Sequence, residues 1–98
     1  MLSLEFHPDI SQEVREGYRW YESKSSGLGE DFLYELESAL SLIRELPDTW
    51  PVISNTFRRY LLKTFPYGVI YTIKKDQIFI VAVMHLSRKP GYWHKRVD

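Results

Sequence analysis

The stretch Phe65-Pro66-Tyr67-Gly68-Val69-Ile70-Tyr71, followed by Val81-Ala82-Val83-Met84-His85 and then Arg88-Lys89-Pro90-Gly91-Tyr92-Trp93, decides how this chain is read. It spells two neighbouring strands that run out into a cluster of cations and aromatics. Tyr, Val and Ile suit a pleated, half-buried surface, and strands are predicted at 68–73 and 77–85. Lys74-Lys75-Asp76 fits the tight hairpin turn between them. The second of these strands is apolar on both faces, which places it inside the sheet with helices over one side. A further strand is predicted just upstream, at 57–63.

Outward from this hairpin the pattern changes period. Leu2, Leu4 and Phe6 alternate with Ser3 and Glu5, a short strand with one buried face. His7-Pro8-Asp9 opens a helix over 8–24, since proline is tolerated at the first helical position and Asp9 suits the positive end of the helix dipole. Ile10, Val14, Tyr18 and Tyr21 form its apolar stripe, and the Ser- and Gly-rich run from Ser23 to Gly29 breaks it. A second helix is predicted over 30–45, with Glu30-Asp31 in its first turn and Phe32, Leu36, Ala39, Leu40 and Ile43 on its buried stripe. Pro47 stops it, and Asp48 to Thr56 is read as the one long loop. Two helices joined by a short connection form an antiparallel hairpin. The order is β-α-α-β-β-β, an α+β fold in which an antiparallel-rich twisted sheet packs against a helical hairpin. Residues from about 88 onward are a tail with one helical turn near 92–96.

Length and composition narrow the classes. The 98 residues suffice for one core, so a single domain over 1–98 is expected. The absence of cysteine excludes disulfides and thiolate zinc sites and fits a reducing cytoplasm. The apolar run from Ile78 to Met84 is far short of a membrane span, and Met1 to Phe6 carries no export signature, so a cytoplasmic location is expected. The net charge of zero conceals two opposed halves. Residues 1–56 carry 4 Lys/Arg against 11 Asp/Glu, a balance of −7, and residues 57–98 carry 9 against 2, a balance of +7. A basic half suits a polyanion or an acidic peptide partner; equally, the two halves complement each other within the fold.

No metal or cofactor is expected. His7, His85 and His94 lack ligand spacing, Gly27-Leu28-Gly29 is too short for a phosphate loop, and no nucleophile elbow is present. The constellation that can carry chemistry is Arg58, Arg59, Lys63, His85, Arg88, Lys89, Tyr92, Trp93, Lys95 and Arg96. Guanidiniums near a scissile phosphate stabilise a dianionic transition state, a histidine serves as general acid or base, and Tyr or Trp stacks on an unpaired base. On residue types alone the ordinary account has the stronger claim: Tyr92 and Trp93 capping the core, His85 satisfied at a strand end, and a solvated face of arginines.

The ordered combination Phe-Pro-Tyr, Val-Ile-Tyr, Ala-Val-Met-His, Arg-Lys-Pro and Trp closely resembles the RelE/ParE superfamily, the toxins of bacterial toxin–antitoxin pairs, over Phe6-His7-Pro8 to Arg96. The resemblance implies the same α+β architecture and two contrasting activities. In the ribosome-dependent mRNA endoribonucleases of the superfamily, cations line the strand predicted at 57–63, the start of the next and the end of the last. Arg59 and Arg88 match two such positions, with His85 as the further candidate, but Leu61 and Gly68 occupy two others and the chain is neutral overall. The pattern is more similar to the ParE-like branch, whose characterised members poison DNA gyrase and arrest growth, a role linked to plasmid stabilisation. The resemblance therefore implies a cytoplasmic binding toxin with a cognate antitoxin and DNA gyrase as partners. Arg58, Arg59, Lys63, Arg88, Tyr92, Trp93 and Arg96 are its candidate target-binding residues. A decayed toxin that only binds its antitoxin is the third reading, and both a homodimer and a toxin–antitoxin hetero-oligomer remain open. Pro90-Gly91 must turn the chain so that Tyr92 and Trp93 either project or fold back.

Overall fold

The computed structural model describes residues 2–97; Met1 and Asp98, which enter the length and charge balance above, lie outside the described residues. The elements are β1 (Ser3–Phe6), α1 (Ile10–Lys24), α2 (Leu28–Glu45), β2 (Val52–Ser54), β3 (Phe57–Leu61), β4 (Tyr67–Lys74) and β5 (Gln77–His85), followed by a 3-10 turn at His94–Arg96. They build one five-stranded sheet in the order β1-β5-β4-β3-β2. β1 runs parallel to β5 with Ser3 opposite Gln77, and every other pairing is antiparallel. The expected α+β class, helical hairpin and antiparallel-rich sheet are all present.

The boundaries differ in instructive ways. Val52–Ser54, inside the stretch predicted to be a loop, forms β2 and gives the sheet a fifth strand. Three residues are too few to show a period, and the segment becomes a strand only because β3 offers it an edge. The strand predicted at 57–63 ends at Leu61, after which Leu62 N–H donates to Tyr67 O (2.9 Å) and closes the connection to β4. α1 begins at Ile10 rather than at 8: Asp9 is its N-cap residue, and Asp9 N–H donates to His7 Nδ1 (3.1 Å). α2 begins at Leu28, two residues before the expected start, with Glu30 and Asp31 in its first turn.

Both helices cover one face of the sheet. Ile10, Phe32, Leu36, Ala39 and Ile43 pack there with Tyr60, Tyr67, Val69, Tyr71, Ile78, Ile80 and Val83. Gly17 permits the close approach of α1: a methyl group there would lie 2.9 Å from two ring carbons of Phe32 and 3.0 Å from the Tyr67 hydroxyl. Tyr71 is fully buried and donates its hydroxyl to Pro47 O (2.6 Å), and burial pushes its phenol up to about 12.

Strict alternation would send every second residue of β5 to the helices. A β-bulge interrupts it: Ile70 pairs with Ala82 and Tyr71 with Ile80, so Val81 is the extra residue. Val81, Ala82 and Met84 consequently join Phe57, Ile70 and Trp93 in a second cluster on the opposite face. The tail covers this second face, so the sheet is sandwiched between the helical hairpin and residues 92–97. Among the described residues, no helix is long and apolar enough to cross a membrane.

Candidate functional site

The site begins where β1 ends. Phe6 is opposite Ile80 and His7 N–H reaches Ile80 O (3.0 Å), but β5 continues to His85. The edge of β5 beyond Ile80 therefore has no strand beside it, and buried main-chain groups there need partners. Glu13 of α1, only 7% exposed, supplies one: its Oε1 accepts Val83 N–H (3.0 Å). Arg96 supplies another, donating from Nη1 to Val81 O (3.0 Å). The same Arg96 bonds Glu13 Oε1 (3.2 Å) and lies 3.1 Å from Oε2 and 3.8 Å from Asp9 Oδ2. Side chains thus stand in for the missing length of β1.

Tyr92 and Arg88 join the cluster from the tail. The Tyr92 hydroxyl donates to Glu13 Oε2 (2.5 Å). Burial and then this carboxylate push its phenol well above the usual tyrosine range, with Arg88 and Arg96 opposing, so it remains a donor at neutral pH. The Arg88 guanidinium lies 3.6 Å over the Tyr92 ring and 3.8 Å from Glu13 Oε2, while half of its side chain remains exposed. Arg96 sits 5.0 Å from the same ring.

The remaining predicted residues do not share one place. Trp93 folds back: it is 2% exposed, with its ring against Phe57 at 4.7 Å and its Nε1 buried without a partner. Its size and apolar ring favour closing the second core over standing in water. Arg96, whose side chain is 11% exposed, is likewise committed inside the chain. Arg58 points to the helix side and ties down the loop, donating to Trp50 O (2.7 Å) and Asp48 O (3.1 Å). Lys63 lies beyond β3 beside a groove of about 450 Å³ formed with Leu42, Trp50, Tyr60 and Leu61.

Tyr60 faces the helices, so its neighbour Arg59 faces the other side of the sheet. There Arg59 lies across Gly68, whose missing side chain leaves its position only 3.3 Å from the Arg59 Cγ and Cδ; Arg59 Nε is buried without a partner. His85 sits on the helix side, its ring edge-on to Tyr67 at 5.2 Å, and its Nδ1 accepts Ser87 N–H (3.0 Å). His85 and Arg88 do share a small cavity, about 160 Å³, but Glu13, Glu16 and Tyr67 line it with them. Two carboxylates repel a phosphate, and Arg59 is on the opposite face. Among the described residues, no group of three or more His, Cys, Asp or Glu is arranged to hold a metal ion.

Sequence reasoning passed over Glu13. The available signal was its spacing: it lies three residues after Ile10 and four before Gly17, all three buried on one face of α1. A carboxylate on a buried helical stripe requires donors, and the basic half of the chain is where they are found.

A parallel edge strand, a helical hairpin, an antiparallel meander and a cationic tail together define a small α+β domain with a mixed five-stranded sheet. The family described as the ParE toxin of the type II toxin–antitoxin system, parDE, matches residues 4–90, and the chain belongs to that family. A solved chain of the chromosomal ParDE toxin–antitoxin system from P. aeruginosa shares the fold with a TM-score of 0.67. The two are 16% identical over 88% of this chain and 97% of that one. No curated protein matches the sequence. Tyr92, Trp93 and Arg96 fall beyond the family match, although they complete the site.

Proposed function

We propose that the chain is a toxin that arrests growth by binding DNA gyrase and is silenced by a cognate antitoxin, both in the cytoplasm. The observation that carries this reading is the dispersal of the cations an RNA-cleaving site would need: Arg59 lies on one face of the sheet, while His85 and Arg88 lie beside two carboxylates elsewhere. A scissile phosphate would find Arg88 and Arg96 already paired with Glu13, and His85 beside two carboxylates. Binding makes no such demand. Its surface would centre on Arg88, the half-exposed cation of the cluster, because arginine commonly anchors protein interfaces. Arg59, Lys63 and the exposed Leu61 and Leu86 would add separate contacts at the other face and edge of the sheet. Tyr92, Trp93, Arg96 and Arg58 act behind this surface by holding the tail and loop.

The antitoxin would occupy the groove along the outer side of β3. Its floor of Leu42, Trp50, Tyr60 and Leu61 with Arg59 and Lys63 at the rim suits a segment carrying aliphatic and acidic residues. Such a segment would order on binding. Induced expression followed by parallel supercoiling and translation assays tests the reading. Cleaved DNA complexes with intact mRNA are expected; cleaved mRNA would replace it with the endoribonuclease reading, and normal growth with a module that only binds its antitoxin.

A further inference from the structure

Among the described residues, no main-chain hydrogen bond ties residues 89–97 to the sheet; those within the segment are local, such as His94 N–H to Gly91 O (3.0 Å) and Arg96 N–H to Trp93 O (3.0 Å). Side chains alone hold the tail. Trp93 is buried on Phe57. His94 Nδ1 lies 2.9 Å from Gly91 O, an acceptor, so that nitrogen carries the proton and Nε2 accepts from the Ser54 hydroxyl (3.1 Å). The third anchor is Glu13, which holds both Tyr92 and Arg96.

Glu13 differs from the other two anchors because everything around it donates. Val83 N–H and Arg96 Nη1 converge on Oε1, and the Tyr92 hydroxyl and Arg96 Nη2 on Oε2. Only an ionised carboxylate offers acceptors at both ends. A carboxamide of the same size would turn one end into a donor facing other donors. Arg88 is placed one step further out. Its guanidinium lies over the Tyr92 ring at 3.6 Å, and that ring is fixed by the bond from its hydroxyl to Glu13.

We propose that Glu13 is a positioning residue: from α1 it fixes Tyr92 and Arg96, and through the Tyr92 ring it aims Arg88 outward as a target contact. The aiming of a target contact rests on the function proposed above; the hold on the tail does not. Helix α1 therefore sets the geometry of that surface through a buried residue. Glu13 also joins the acidic half of the chain to the basic half at one buried point, which gives that charge asymmetry an internal role.

The test compares the parent with Glu13→Gln, Arg88→Ala and the double variant by two readouts, amide exchange and the inducer dose that arrests growth. Glu13→Gln is expected to speed exchange across 92–97 and at the Val83 amide by about tenfold, while the central strands β4 and β5 stay protected elsewhere. Its arrest dose should rise as that of Arg88→Ala does, and the double variant should be no weaker than Arg88→Ala alone, because the two act through one contact. Unchanged exchange in 92–97, or arrest defects that add in full, overturns the proposal. If Arg88→Ala arrests growth normally while Glu13→Gln loosens the tail, the hold on the tail is upheld and the target role of Arg88 falls. Should Glu13→Gln fail to fold, Tyr92→Phe, which removes only the hydroxyl, carries the same expectation for exchange and arrest.

Discussion

Trp93→Ala isolates what the tail contributes to the fold. The residue is 2% exposed and lies against Phe57, in a cluster with Ile70, Val81, Ala82 and Met84. Truncating a buried tryptophan to alanine costs about 3–5 kcal/mol, because it removes apolar contact and leaves a cavity the neighbours only partly fill. One term opposes this. The indole Nε1 is buried without a hydrogen-bond partner, a desolvation cost that truncation relieves, worth about 1 kcal/mol for a single neutral donor. The net expectation is a loss of about 2–4 kcal/mol. For a domain of this length each kcal/mol shifts the midpoint by about 5 °C, so Tm should fall by about 10–20 °C. Thermal melting followed by circular dichroism measures it, with Trp93→Phe as control. Phenylalanine keeps a ring on Phe57 and deletes the unpaired N–H, so it should cost less than about 1.5 kcal/mol. A Trp93→Ala protein melting within about 3 °C of the parent, less than 1 kcal/mol, would refute the placement of the tail in the second core.

Arg88→Ala should melt close to the parent, because its side chain is half exposed and its ion pair with Glu13 is long at 3.8 Å; in a growth assay it should need a higher inducer dose to arrest cells. Gly17→Ala should destabilise by about 1–3 kcal/mol in denaturant titration, since the added methyl meets the Phe32 ring at 2.9 Å. Glu35 accepts Thr64 N–H (2.9 Å), and although partial burial raises its carboxyl, the bonds from Thr64 together with those from the Lys63 and Phe65 main chain outweigh this and hold it below the ordinary value of 4.5. A depressed folded-state value means that its stabilisation is present above pH 4.5 and is lost as pH falls through the folded value. Glu35→Gln should therefore flatten the acid limb of the stability profile between pH 5 and 3, measured by urea unfolding.

What could be read from residues was whatever repeats locally. The helical stripe of Phe32, Leu36, Ala39 and Ile43 is buried as expected, and the Lys74-Lys75-Asp76 hairpin closes with Lys74 opposite Gln77. Features that depend on a distant neighbour were not legible. β2 exists because β3 offers an edge, and Val81 bulges because Ile70 and Tyr71 fix the register on either side. The candidate site shows the same division. Arg88 stood out by its residue type and place in the chain, but whether Trp93 projects depends on a pocket made by Phe57, Ile70 and Val81. Arg58 looks like a surface cation until the carbonyls of Asp48 and Trp50 are placed around it. A residue type suggests a partner, but only the fold shows whether that partner lies inside the same chain.

The parallel pairing of β1 with β5 has a consequence in time. Ser3 waits for Gln77, and Glu13 waits for Arg96, 83 residues later. At synthesis rates of about 5–20 residues per second, Glu13 exists for roughly 4–17 s before Arg96 is made. The helical hairpin is local and can form early, while the outer parallel strand must wait for β5 and the buried carboxylate for Arg96. A ribosome stalled before Arg88 carries a chain in which Glu13 has neither of its guanidinium partners and the tail has none of its anchors. The order of the strands thus delays the completed surface until Arg96 has been made.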